Sequence, residues 1–200
     1  LPNPREYAVG MVFLPKNSNQ NQFCKQIFEQ EIQNQDLEIL GWRNVPVDST
    51  QLGAIALSTE PDIQQLFVAK PTELSEAHFK AKLYAARKIT EHSIIQSKIS
   101  EAKSFYVSSL SITTIIYKGI IMPEDIGRYY KDLQEADLVT RLALVHQRFS
   151  TNTMPTWVLA QPFRYLCQNG EINTLRGNVS RMRVREEIMR SDIFGTQIEK

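Results

Sequence analysis

The chain has 200 residues, 42% of them apolar, and its 23 basic and 22 acidic side chains leave a formal net charge of +1. That is enough apolar material for the core of one domain, or of a piece of a larger one, and so even a charge balance gives no reason to require a nucleic acid or a lipid surface. Two distant cysteines, Cys24 and Cys167, make neither a disulfide framework nor a metal spacing and fit a reducing cytosol, while no apolar run is long enough to cross a bilayer.

Pro2 and Pro4 mark an extended entry without the apolar core of a signal peptide. Residues 7–14 read as a buried strand with one close backbone approach at Gly10. Residues 17–21 are polar and read as loop. Residues 20–35 are glutamine-rich, with Phe23, Cys24, Ile27, Phe28 and Ile32 at helical spacing, which predicts an amphipathic helix with a wet glutamine face. Residues 37–42 read as a strand and 44–49 as a turn with Pro46 and Asp48. Residues 51–61 have no clear period, and 63–69 form another strand candidate. Thr72 is the expected N-cap of a long helix carrying Leu74, Phe79, Leu83 and Ala86 on its apolar side. Its other face mixes acidic and basic residues, the pattern of a solvated surface.

Residues 105–121 are rich in β-branched and aromatic side chains and predict one strand, or two with a turn near Ser111. Pro123-Glu124-Asp125 opens a short helix with acidic residues in its first turn. Residues 138–145 alternate in strand fashion and lead into Arg148 and the polar loop 150–153. A further apolar run ends at Asn169-Gly170, a turn dipeptide. Strand ends beside loops are common places for a scaffold to present chemistry. Residues 174–190 predict a helix with Val179, Met182, Ile188 and Met189 near its apolar side, and Gly195 suggests a stop.

The stretch His146-Gln147-Arg148-Phe149-Ser150-Thr151-Asn152-Thr153, with Gln161 to Val179 containing Asn169-Gly170-Glu171-Ile172-Asn173, resembles the glutamine amidotransferase domain of glutamate synthase large subunits. Tyr7 to Pro15, Ser109-Leu110-Ser111 and Tyr117-Lys118-Gly119 support the likeness, which is dense over 138–185 and thin over 16–103. The resemblance implies an α+β fold of the N-terminal-nucleophile hydrolase type: two antiparallel sheets face to face between helical layers. It also implies that residues 1–200 are part of one such domain that continues on both sides. The interspersed strands and helices agree with that layering rather than with a doubly wound sheet.

Releasing ammonia from a glutamine side chain is acyl transfer, which needs a nucleophile, a base, an oxyanion hole and anchors for the amino acid's α-carboxylate and α-amine. The resemblance places Arg148 at the family's carboxylate-binding position, where a guanidinium offers paired donors, and Thr151 beside it as a second substrate contact. It places the oxyanion hole at the side-chain amide of Asn169 and the backbone N–H of Gly170. The competing readings are a structural ion pair for Arg148 and an ordinary hairpin turn for Asn-Gly. The family's nucleophile is a cysteine at the mature N-terminus, with its α-amine as base. Residue 1 here is Leu, so the chain by itself is expected to be inactive. Cys24 reads as core, and a Cys167–His146 pair is the conceivable substitute. The acidic anchor for the α-amine is expected beyond Lys200. Thr113 stands where the family has arginine and Gln168 where it has histidine.

For the intact enzyme the resemblance implies ammonia transfer to a second site, where 2-oxoglutarate is aminated and reduced with FMN and an iron–sulfur cluster. No residues expected to hold either cofactor lie in this chain, and two lone cysteines cannot build a cluster. The expected partners are glutamine or glutamate, the downstream synthase domains of the same chain, and an electron-donating subunit or reduced carrier. No nucleic acid or membrane is expected, and the expected location is the cytoplasm. Two rival readings stand beside this one: a nucleic-acid module built on Arg176, Arg181, Arg183, Arg185 and Arg190, and a degenerate domain that binds glutamate without turnover.

Overall fold

Four strands form one antiparallel sheet in the order β2-β3-β1-β4: β1 (Tyr7–Leu14), β2 (Ile39–Asn44), β3 (Asp62–Ala69) and β4 (Tyr106–Ser111). The computed structural model describes residues 2–149, 153–170 and 174–194. The centre of the sheet is β1, paired along its whole length with β3 from Tyr7↔Ala69 to Leu14↔Asp62. Its apolar residues are buried on both faces, which is why the sequence reads as a continuous apolar run rather than an alternation. Gly10 is where a side chain would be crowded: an added Cβ would lie 3.2 Å from Leu110 Cδ1 and 3.4 Å from Leu66 Cβ. On the other side of β1, the pairing with β4 slips between Met11↔Ser109 and Val12↔Val107. Ser108 is therefore the extra residue of a bulge, and its buried hydroxyl has no partner among the described residues.

One face of the sheet is covered by α1 (Ser18–Gln33) and α3 (Glu76–Gln96). Cys24, Phe28 and Ile32 of α1 and Phe79, Leu83, Ala86 and Ile94 of α3 join Ala8, Val12, Leu14, Leu66, Val68 and Val107 in one core. The expected loop at 17–21 is instead the helix start, because Asn17 caps it: its Oδ1 accepts from the N–H groups of Asn19 and Gln20, each at 3.1 Å. The cap of α3 is Ser75 rather than Thr72. Leu74 N–H bonds Pro71 O, closing a turn that holds the chain out of the helix, and Ser75 Oγ accepts from His78 N–H.

The other face carries a second core of Met11, Phe13, Val45, Ala56, Ile63, Tyr129, Tyr130 and Trp157. Its cover is made of short pieces: α2 (Ala54–Ser58), 3₁₀ turns at Ser49–Gln51, Pro123–Asp125 and Lys131–Gln134, and α4 (Ile126–Tyr129). Two polar hubs fasten them to the sheet. Asp132 accepts a fork of two bonds from Arg43 and a third from Tyr117 OH. Glu60 accepts from Lys16, Ser49 and Tyr129; burial raises its carboxyl, but those three donors outweigh burial and hold it below its usual range.

Further expectations differ from the structure. Residues 138–145 form no strand: the run lies outside every ladder, with Val139, Leu142 and Val145 86%, 84% and 80% exposed. A strand needs a neighbour to pair with, and no described segment lies in register beside this one. Of the two alternatives for 105–121 the structure has the single strand, β4, and it ends at Ser111, whose Oγ accepts from the N–H groups of Thr113 and Thr114 and turns the chain. The last helix, α5 (Leu175–Glu186), is shorter than 174–190 and buries none of its residues. The family fold's coarse class, α+β, agrees with the structure; the described residues contain one sheet.

Candidate functional site

The segment between Arg148 and Asn169 is held to the sheet at three points. The first is Lys118, the only charged residue between Lys103 and Glu124. It is 1% exposed, and its Nζ donates to the backbone oxygens of Val158 (2.7 Å) and Ala160 (2.8 Å). The ring faces of Tyr106 and Phe163 lie 4.4 and 4.8 Å from that nitrogen, so the cation is met by carbonyls and π-clouds. Burial, and then the nearby Arg164, push its amine down to about 7. The second point is Trp157, whose indole N–H donates to Ala56 O at 3.1 Å and whose ring packs edge-on to Phe13. The third is Arg164, which sits at φ 49° in a tight hairpin where Phe163 and Leu166 exchange backbone bonds of 2.7 and 2.8 Å. Its guanidinium reaches Val107 O at 3.0 Å and Glu91 at 3.4 Å, bonds that help offset the roughly 1–2 kcal/mol cost of a left-handed non-glycine residue.

From this anchored hairpin the chain runs to Asn169. Gln161 reaches across: its Nε2 donates to Gln168 O (2.8 Å) and its Oε1 accepts from Gln168 N–H (2.7 Å). That two-bond clamp fixes the backbone immediately before Asn169, whose side chain is exposed. Gly170 is half-buried.

Arg148 is exposed, and among the described residues it has no ion-pair or hydrogen-bond partner. The structural ion pair weighed against its ligand role is therefore not formed among them. Thr151 lies outside the described residues, as do Glu171, Ile172 and Asn173. No hydrogen bond joins Arg148 to Asn169. Among the described residues His146 Nε2 is buried without a partner, and no hydrogen bond joins His146 to Cys167. Cys24 is buried in the helical core, where burial, with Glu101 adding to it, raises its thiol to about 11, the behaviour of an inert core residue. A polar cleft of about 670 Å³ lined by Lys16, Asn21, Glu60 and Asp62 lies elsewhere and contains none of the motif residues.

Sequence reading missed Gln161, Arg164 and the role of Lys118. A legible signal existed for Lys118, a lone cation inside an apolar run, since such a charge must either reach water or be given partners. Gln161 and Arg164 carry no local signal, because their partners lie 7 to 73 residues away. Among the described residues no group of three or more histidine, cysteine, aspartate or glutamate side chains is placed to hold a metal ion. No described helix is long and apolar enough to cross a membrane.

The sequence family described as glutamine amidotransferases class-II matches residues 1–200. Among similar proteins, the glutamate synthase [NADH] of Saccharomyces cerevisiae is 47% identical over 209 aligned residues, covering 100% of this chain and 10% of that protein. The glutamate synthase [NADPH] large chain of Bacillus subtilis is 41% identical, covering 100% of this chain and 13% of its own length. The chloroplastic ferredoxin-dependent glutamate synthase of Oryza sativa is 41% identical over 94% of this chain and 12% of its own length. The chain thus spans about a tenth of the length of the relatives it matches.

Proposed function

The chain belongs to the class-II glutamine amidotransferases, and from that premise we propose that it is part of the single glutamine-hydrolysing domain of a glutamate synthase. Arg148 holds the substrate α-carboxylate through its paired donors, and Thr151 adds a contact. Asn169 and Gly170 donate to the oxyanion as a thiolate adds to the side-chain carbonyl. Collapse of that intermediate expels ammonia and leaves a thioester, which water hydrolyses to glutamate. The thiol and its α-amine base are assigned to no residue among 1–200. The observation that carries the reading is Arg148 itself: an exposed guanidinium with no carboxylate among the described residues, within the motif that resembles the family's substrate loop.

In the intact protein the released ammonia serves 2-oxoglutarate amination at a downstream site of the same chain, in the cytoplasm. FMN and an iron–sulfur cluster supply the redox chemistry there. The electrons come from a partner subunit or a reduced carrier; relatives named for NADH, NADPH and ferredoxin leave the donor open. In the full domain the exposed apolar side chains of the run 138–149 and of α5 are covered by the rest of the fold.

Steady-state kinetics of the intact enzyme test the site. Asn169→Ala lowers glutamine-dependent kcat by ~100-fold or more with KM little changed. Arg148→Ala raises the KM for glutamine, since a carboxylate anchor acts in ground and transition states alike. Ammonium-dependent synthesis persists in both. A folded Asn169→Ala enzyme with undiminished kcat would reduce the Asn-Gly to a turn and sink the assignment.

A further inference from the structure

We infer that Lys118 is a positioning residue for the proposed glutamine site, acting through the segment 157–168 on the oxyanion donor Asn169. The inference rests on the site reading above and extends it to a residue that reading does not use.

Lys118 is placed rigidly. Its own carbonyl accepts from Tyr130 OH at 2.8 Å, inside the core of the second sheet face. Gly119, next to it, leaves room for the ring of Trp157, which lies where a side chain at 119 would stand. From that fixed base the amine spans to two carbonyls, of residues 158 and 160, in a stretch that belongs to no strand or long helix. Two bonds to alternate carbonyls determine both the position and the direction of the backbone between them. The next residue, Gln161, carries the restraint onward by clamping both the N–H and the C=O of Gln168. Asn169 follows directly. The path from Lys118 to Asn169 thus consists of four hydrogen bonds and only short lengths of chain. No carboxylate pairs with Lys118 among the described residues. A cation buried for stability alone is ordinarily given a counter-charge; this one instead directs its donors at backbone oxygens of the segment that leads to the site.

A purely stabilising lysine and a positioning lysine predict different kinetics. In the intact enzyme, Lys118→Met keeps the length of the side chain but removes the donors. Glutamine-dependent kcat is expected to fall ~10-fold or more, because small misplacement of a catalytic group is enough for such losses. The KM for glutamine stays within about twofold, since Arg148 is not on the path, and ammonium-dependent synthesis is unchanged. Gln161→Ala breaks the same path at a less buried place and is expected to lower the same kcat; it decides the matter alone if Lys118→Met does not fold. Equal losses of glutamine- and ammonium-dependent activity, or an unchanged glutamine kcat in the folded variants, overturn the inference. Asn169→Ala is run beside them. If it lowers kcat while Lys118→Met and Gln161→Ala do not, only the positioning role fails; if Asn169→Ala is itself harmless, both readings fail.

Discussion

Replacing Gly119 with alanine tests the seam between the segment that follows β4 and the Trp157 segment. An added Cβ would lie 2.4 Å from Trp157 Cζ3, 2.7 Å from Cε3 and 3.0 Å from Ile121 Cδ1. The indole cannot step back easily. It is buried, its N–H is tied to Ala56 O at 3.1 Å, and its ring is packed against Phe13 and Tyr129 at centroid distances of 6.1 and 5.6 Å. Overpacking of this kind costs about 1–3 kcal/mol, and displacing the ring far enough to lose its hydrogen bond adds about 1 kcal/mol. The expected loss is therefore ~2–4 kcal/mol, or a fall of about 1–2 M in the urea midpoint for a typical denaturant slope. Gly127→Ala is the control: nothing lies within 4 Å of a Cβ there, inside α4, so the change is neutral or slightly stabilising. Urea unfolding followed by tryptophan fluorescence reads both variants, with Trp42 and Trp157 as the only indoles in the chain. Coincident midpoints for the two variants would refute the packing argument.

Two titration predictions follow from the buried charges. The forked bond from Arg43, and then Tyr117, outweigh burial and hold the Asp132 carboxyl below its usual range, so its folded pKa is depressed and its contribution is present at neutral pH and lost as the pH falls below about 4. The stability difference between the natural chain and Asp132→Asn should shrink over that acid range in urea titrations, and a pH-independent difference would contradict it. Lys118 has the opposite sign of linkage: with its amine pushed down to about 7 and near 10.4 when unfolded, the unfolded chain holds more protons between those values. Stability relative to Lys118→Met should therefore rise from about pH 7 to about pH 10; a flat difference would show that the carbonyls and rings hold the charged form as well as water does.

What the sequence revealed was whatever short-range chemistry decides. The strand at 7–14 was legible to the residue because an apolar run bounded by Pro4 and Pro15 has few alternatives, and the glutamine-rich helix because Cys24, Phe28 and Ile32 recur at helical spacing. Caps were less legible, since Thr72 and Ser75 are equally good N-cap types and only the turn at Leu74 chooses between them. The alternation over 138–145 misleads for a deeper reason. It describes a segment able to lie in a sheet, but a strand exists only with a partner, and partners are not written locally. For the site, the motif named Arg148, Asn169 and Gly170. It could not name Gln161, Arg164 or Lys118 as supports, because their contacts join residues that only the folded backbone brings together.

The two halves of the proposed site are supported unequally, and that difference has kinetic content. Asn169 follows a hairpin pinned by Lys118, Trp157 and Arg164 and closed by Gln161. Arg148 follows a run whose hydrogen bonds among the described residues are local, as between Thr140 and Leu142, and whose large apolar side chains face outward. Ordering a backbone residue costs about 1–2 kcal/mol, so any part of that run not already fixed by a covering surface must be fixed when the substrate carboxylate arrives. That cost is charged to glutamine binding. The proposed oxyanion donors follow backbone that the Gln161 clamp already holds, so little of that cost falls on them, the condition under which preorganised dipoles contribute most to the transition state. Covering the 138–149 run should therefore tighten glutamine binding and leave kcat alone, whereas loosening the 157–168 hairpin should do the reverse. Under the proposed assignment of Arg148, the exposed apolar run that precedes it is the docking side of the carboxylate anchor rather than surplus surface.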